Sequence, residues 1–92
     1  MSIFLTAIVK AKPEHLEEIK SMLEALPSAS RQEEACIRYD VHQSIDDENV
    51  FILNEEWTNA EGLAVHNEQP YSKAFFASFD RLQENPIIYL SK

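Results

Sequence analysis

The sequence predicts one α+β domain, residues 1–92, in which four antiparallel strands carry helices on one face. Segments with a period of two alternate with segments of helical period, in the order β-α-β-β-α-β. A chain of 92 residues is too short for two domains. Its 45% content of hydrophobic residues is sufficient for one core, which excludes a disordered chain.

The first strand and the first helix are predicted from periodicity. Residues 3–10 are largely apolar at both odd and even positions, which is typical of a central strand buried on two sides. Pro13 suits the first turn of a helix, and apolar residues then recur at helical spacing as far as Leu26. Pro27 is expected to end or kink this helix, and residues 30–34 to add a further turn.

The second and third strands are predicted to form a hairpin. The second strand runs from Cys36 to Gln43, and the third from Val50 to Trp57. The polar residues 46–49 between them are typical of a turn. Strict alternation places the residues of the second strand on two faces: Ile37, Tyr39 and Val41 on one, and Cys36, Arg38, Asp40 and His42 on the other.

The remaining elements are two helices and a short strand. Thr58 and Glu61 match a capping box, which predicts a helix from Ala60 to about Asn67. Pro70 is expected to start a second helix that reaches about Gln83, and the last strand covers residues 87–90. The order of elements predicts a ferredoxin-like βαββαβ sandwich with a four-stranded antiparallel sheet.

The second face of this sheet predicts a partner. The third strand is apolar on both sides, since Val50 and Ile52 oppose Phe51 and Leu53. Helices cover only one side of such a sheet, and an exposed apolar patch favours association. We therefore expect a homodimer that packs sheet against sheet.

Composition narrows the class of function. A net charge of −8 argues against binding nucleic acid or an anionic membrane surface. The single cysteine, Cys36, cannot form an intrachain disulfide, which fits a reducing compartment, and we expect it to be a buried, inert thiol. No signal peptide and no apolar run of about 18 residues is present, so we expect a cytoplasmic protein. No spacing typical of a metal site or a phosphate loop occurs.

Three residues suggest a site at the end of the third strand. Glu55 and Trp57 are two apart and therefore share one face of that strand. His66 lies two turns into the following helix and could fold back over them. Each residue also has a structural interpretation: Trp57 as a core anchor, and His66 as a partner of Glu55 or of a backbone carbonyl. Whether His42 or His66 faces the cavity is left open.

Four segments together resemble the antibiotic biosynthesis monooxygenase superfamily, a group of dimeric α+β barrels. They are Glu34-Ala35-Cys36-Ile37-Arg38-Tyr39, Glu55-Glu56-Trp57, Ala64-Val65-His66, and Pro70-Tyr71 with Ala74-Phe75. Ala35 stands where the family usually has glycine, and Tyr71 where it often has histidine. Thr6 and Phe76 replace the asparagine and histidine of the haem-degrading branch, so the resemblance does not extend to haem chemistry.

The resemblance implies a cavity between sheet and helices and a cofactor-independent oxidation of a small quinol or polyphenol by O2. His66 is then the base, because an imidazole titrates near neutrality. Glu55 would orient or stabilise it, and Trp57 would stack on the substrate or donate its indole N–H. The residues expected to bind the substrate are Tyr39, Tyr71, Phe75 and Phe79. We expect neither a cofactor nor a metal.

Two other functions remain open from the sequence. One is an isomerase or epimerase of a small hydroxycarbonyl compound, again with His66 as base. A phosphorylated substrate would need cationic groups, for which only Arg38, Lys73 and Arg81 are available. The other is a dimeric module that binds a small molecule without turnover. Oxygen consumption would separate the monooxygenase from both.

Overall fold

The elements of the computed structural model, which describes residues 1–92, follow the predicted order. The strands and helices are β1 (Ile3–Lys10), α1 (Leu16–Ser30), β2 (Cys36–Gln43), β3 (Val50–Trp57), α2 (Ala60–Asn67), α3 (Pro70–Phe76) and β4 (Ile87–Ser91). Two short 3₁₀ turns, Pro13–His15 and Phe79–Arg81, precede α1 and follow α3. The strands form one antiparallel sheet of order β2-β3-β1-β4, which confirms the ferredoxin-like prediction.

The core lies between one face of this sheet and α1. Alternate residues of the central strands face it, among them Val9, Phe51 and Trp57, which are almost completely buried. From α1, Ile19 and Leu23 reach the same layer and are fully buried. The apolar residues that recur every second position in the strands therefore pack against those that recur at helical spacing in α1. We call the side of the sheet that packs against the helix its covered face.

A β-bulge changes the predicted faces of β2. Cys36 pairs with Trp57, but the next paired residue is Arg38 with Glu56, so Ile37 is an extra residue. The extra residue shifts the alternation by one position. Cys36 therefore faces the core and Ile37 is exposed, the reverse of the prediction, whereas Tyr39 lies on the covered face as expected. Burial raises the pKa of the Cys36 thiol.

Asn59, and not Thr58, caps the N-terminus of α2. The Asn59 side chain accepts a hydrogen bond from the Gly62 N–H at 2.8 Å, with Asn59 itself in an extended conformation. The Thr58 hydroxyl and the Thr58 N–H both donate to the Ala35 carbonyl. The prediction of a Thr58 cap was wrong because a tertiary acceptor engages this hydroxyl, and asparagine is an equally good cap.

Pro27 and the end of the last helix also differ from expectation, whereas Pro70 starts a helix as predicted. Pro27 lies inside α1, which continues to Ser30, and further turn-type bonds then carry the chain to Glu33. The helix that Pro70 starts ends at Phe76 instead of about Gln83. Ser78 explains this end, because its hydroxyl donates to the Phe75 carbonyl at 2.6 Å and competes for a helix acceptor.

The opposite face of the sheet, here called the outer face, has no helix over it. The register of β1 with its neighbours places Phe4, Ile8, Ile52 and Tyr89 there. Phe4 is 39% exposed and Tyr89 is 64% exposed. The outer face is thus an apolar surface without a partner in this chain, and the homodimer stays a prediction. No helix is long and apolar enough to cross a membrane.

Candidate active site

A cavity of about 200 Å³ lies between the covered face and the helices α2 and α3. Sixteen residues line it, and eleven of them are hydrophobic. Its polar groups are few and come from four elements, β2, β3, α2 and α3: Tyr39, Glu55, His66, Asn67 and Ser72. An apolar cavity with a few convergent polar groups is the usual form of a small-molecule site.

His66 lines the cavity on one side and contacts buried groups of the interior on the other. It is only 6% exposed, and its Nδ1 lies 2.7 Å from the Glu33 carboxylate. Its Nε2 lies 3.3 Å from the Ser72 hydroxyl. The imidazole packs against the Trp57 indole with ring centroids 4.4 Å apart. His42 is exposed and pairs with Ile52 on the outer face, so His66 is the histidine of the cavity.

Glu33 is the main site residue that the sequence did not reveal. It lies in the turn after α1, where its Oε2 is 2.7 Å from His66 Nδ1 and accepts a hydrogen bond from the Tyr71 hydroxyl at 2.5 Å. Its other oxygen, Oε1, is buried and has no hydrogen-bond partner. Glu33 is 33 positions from His66 and belongs to no periodic segment, so no local pattern could have indicated this contact.

Glu55 bonds to Trp57 and not to the histidine. The Trp57 Nε1–H donates to Glu55 Oε1 at 2.9 Å, as two residues on one strand face can do. Burial raises the pKa of Glu55 to about 7, although the hydrogen bond from Trp57 opposes this shift. Glu33, and not Glu55 as expected, is therefore the carboxyl group that contacts the imidazole. Glu55 is instead a carboxyl group that is partly protonated at neutral pH.

The predicted aromatic residues divide into two groups. Tyr39, Phe75 and Phe79 line the cavity, as does Phe76, which was not among the predicted binding residues. Trp57 and Tyr71 do not line it: the Trp57 side chain is fully buried and Tyr71 binds Glu33.

Both site tyrosines are held in their neutral form. Burial, with the neighbouring Glu55 carboxyl, raises the pKa of Tyr39 far above its ordinary range. Burial and the hydrogen bond to Glu33 do the same to the pKa of Tyr71. Neither phenol is therefore available as a base, which leaves His66 and Glu55 as the groups that can exchange protons with a bound molecule.

No three His, Cys, Asp or Glu side chains are grouped so that they could hold a metal ion. The arrangement can bind a small apolar ring, accept a proton at the imidazole and donate or accept one at Glu55. Ser72, the second residue that the sequence did not reveal, adds a hydroxyl beside the imidazole. A serine between apolar helix positions carries no signal of its own, because such residues also occur as satisfied core groups.

The chain is a member of the antibiotic biosynthesis monooxygenase family, whose sequence profile matches residues 2–78. Among known proteins, it is 34% identical over 85 residues to a Bacillus subtilis protein named "Putative monooxygenase YcnE". This match covers 92% of the chain and 90% of the relative.

Solved structures show the same fold over almost the whole chain. PA3566 from Pseudomonas aeruginosa is 30% identical with a TM-score of 0.91, covering 98% of this chain and 91% of that one. Rv0793 from Mycobacterium tuberculosis is 19% identical with a TM-score of 0.93, covering 100% and 94%. The second likeness supports the fold alone. The profile and the Bacillus subtilis relative confirm the family that the sequence resembled.

Proposed function

We propose that this protein is a cofactor-independent monooxygenase that oxidises a small quinol or polyphenol with O2. The observation that carries the proposal is the position of His66, a base that is only 6% exposed and lies on the wall of an apolar cavity. The cavity volume of about 200 Å³ is below the usual range for drug-sized ligands and suits a single small ring system.

The proposed reaction starts with proton transfer. His66 removes the proton of a substrate hydroxyl, and the resulting phenolate is electron-rich enough to reduce O2 directly. One oxygen atom forms a new bond to the ring and the other leaves as water, so that a hydroquinone becomes a hydroxyquinone. The substrate supplies all four electrons. Glu55, which is partly protonated at neutral pH and also lines the cavity, supplies a proton in this scheme.

The charges around the cavity favour this reaction over isomerisation of a phosphorylated compound. No lysine or arginine lines the cavity. The three cations considered from the sequence pair elsewhere: Arg38 with Asp40, Lys73 with Glu68, and Arg81 with Glu18. A phosphate would thus enter a site that contains a carboxyl group and no cation to stabilise it. We therefore propose an uncharged substrate.

Oxygen uptake tests this function. Purified protein is given a panel of hydroquinones and polyphenols, with a chelator present and autoxidation subtracted. We expect enzyme-dependent uptake that falls by about 10²-fold or more in His66→Ala. His15→Ala is the matched control and should keep the rate, because His15 lies in the turn before α1, is partly exposed and does not line the cavity. Binding of these compounds without any uptake would contradict the monooxygenase and support the binding module.

We also propose that two copies associate through their outer faces. The apolar residues exposed on that face, such as Phe4 and Tyr89, support this arrangement. On the covered face, Ile88 and Leu90 of the edge strand β4 line the cavity and are 52% and 61% exposed. A second copy close to this edge would help to seal the cavity from water.

Light scattering tests the association. We expect twice the chain mass for the native protein and a single-chain mass for Tyr89→Asp. Val65→Asp is the control, because Val65 is equally apolar and 59% exposed but lies on α2, away from the sheet. A native protein of single-chain mass at micromolar concentration would refute the homodimer.

A further inference from the structure

Glu33 lies behind His66 as seen from the cavity. It is not among the residues that line the cavity, and its side chain is only 11% exposed. Its Oε2 is 2.7 Å from His66 Nδ1, and the imidazole lies between this oxygen and Ser72. Glu33 can therefore influence a bound molecule only through the histidine.

The hydrogen bonds around Glu33 define which imidazole nitrogen carries the proton. The Tyr71 hydroxyl donates to the same Oε2 that faces His66 Nδ1. An oxygen that accepts from two sides is best satisfied as a carboxylate, so Nδ1 is the donor. A neutral imidazole with its proton on Nδ1 has its lone pair on Nε2. Nε2 faces the hydroxyl of Ser72, which lines the cavity.

The other neighbours do not select a tautomer. The Ser72 hydroxyl at Nε2 can either donate or accept a hydrogen bond, so it is compatible with both tautomers. Glu55 Oε1 accepts the Trp57 N–H, and the rings of Trp57, Tyr39 and Tyr71 pack beside the imidazole with centroids 4.4, 5.6 and 6.1 Å away. Free neutral imidazole of histidine prefers its proton on Nε2. Without Glu33, the Nε2–H would point at Ser72 and the base would present no lone pair to the cavity.

We propose that Glu33 is the positioning residue of this site, which holds His66 in the Nδ1–H tautomer and presents the Nε2 lone pair to the cavity. When a substrate O–H bond breaks and an Nε2–H bond forms, the carboxylate stabilises the imidazolium, as the acid does in a catalytic triad. This catalytic consequence depends on the function proposed above. The tautomer does not, because it is a property of the protein without substrate.

Nitrogen NMR of uniformly ¹⁵N-labelled protein in alkaline buffer measures the tautomer directly. In the native protein we expect a protonated Nδ1 and an unprotonated Nε2 for His66, assigned with a His66→Gln variant. Glu33→Leu removes the acceptor, and we expect the proton to move to Nε2. Tyr71→Phe is the matched control: it removes the other donor to Oε2 and should leave the tautomer unchanged.

Two results would overturn the proposal. One is a native protein whose His66 carries its proton on Nε2, a result that needs no variant to fold. The other is an unchanged tautomer in Glu33→Leu. Where substrate turnover is measurable, Glu33→Leu should lower kcat by about 10–100-fold with KM little changed, and Glu33→Asp should recover part of the loss. Full kcat in Glu33→Leu would also refute the positioning role, whereas absence of turnover in the native protein would concern only the proposed function.

Discussion

The two faces of the sheet are built from the same four strands but differ in how completely one chain buries them. On the covered face, Val9 and Trp57 have no exposed surface, whereas Phe4 and Tyr89 on the outer face remain 39% and 64% exposed. The covered face also lines the cavity and contributes Glu55 to it. The candidate site therefore lies on the side of the sheet that helices of the same chain cover, and the proposed association would act mainly on the other side.

The largest expected effect is that of Trp57→Ala on the covered face. It removes a fully buried indole and leaves Glu55 Oε1 without its donor. We expect the free energy of unfolding to fall by about 3–5 kcal/mol, measured by denaturant titration. This loss should not depend on protein concentration, because the indole is buried within one chain.

Phe4→Ala on the outer face is the matched test of the comparison. Phe4 is partly exposed in a single chain, so its truncation should lower stability less than Trp57→Ala does. If the outer face joins two copies, the loss should depend on protein concentration. If both variants lose the same free energy of unfolding at every protein concentration, the two faces do not differ in the way described.

The second expected effect is a pH dependence of stability that is caused by Glu55 on the covered face. Its pKa is raised from an ordinary 4.5 to about 7, so the folded protein holds this proton more tightly than the unfolded chain does. The free energy of unfolding is therefore highest below the pKa of Glu55 in the unfolded chain. It falls between the two pKa values and is constant above the pKa in the folded protein. The total loss is roughly 3 kcal/mol.

Glu55→Gln should abolish this dependence and still accept the Trp57 N–H. We expect the variant to gain up to roughly 3 kcal/mol relative to the native protein between about pH 4 and about pH 8. Urea titrations across this range measure the difference. Parallel pH profiles of the two proteins would show that the carboxyl titrates normally.

A third test concerns the contact that fixes the start of α2 on the covered side. A Cβ added at Gly62 would overlap the Cβ of Ala35. Gly62→Ala should therefore lower stability by about 1–3 kcal/mol, although alanine is ordinarily the better helix former. Ala35→Gly provides the space, and we expect the double variant to recover most of the loss. Thermal unfolding of both variants checks this, and a stable single variant would contradict the close contact.

The smallest expected effect concerns the helix cap. Asn59→Ala should lower stability by about 1 kcal/mol, because it removes the acceptor for the Gly62 N–H. Thr58→Val removes an exposed hydroxyl bond to the Ala35 carbonyl and should have a smaller effect. Denaturant midpoints of the two variants measure both effects. A larger loss in Thr58→Val than in Asn59→Ala would indicate that Thr58 is the cap.

Much of the fold could be predicted because periodicity is a local property. The strand bounds of β2 and β3 and the helix bounds of α2 agree with the prediction. The errors have separate causes. At Thr58 a tertiary contact with the Ala35 carbonyl replaces the predicted cap. The extra residue Ile37 and the local bond of the Ser78 hydroxyl to the Phe75 carbonyl leave no trace in hydrophobic spacing.

The candidate site was predictable only in part. Glu55, Trp57 and His66 do come together, since the alternation of β3 and the short connection to α2 bring them to one end of the sheet. Their pairing was not predictable: Glu55 binds the indole, and the imidazole binds Glu33. Hydrogen bonds between side chains depend on distances of a few tenths of an ångström, which sequence spacing does not specify.

The sequence by itself determined the family, the order of elements and the bounds of β2, β3 and α2, because these follow from short-range periodicity and from motifs. Only the tertiary structure decided which acid serves the histidine, which rings line the cavity, and that Glu55 titrates near neutrality. These properties depend on burial and on contacts between residues far apart in the chain, as between Glu33 and His66. Such contacts exist only once the core has formed.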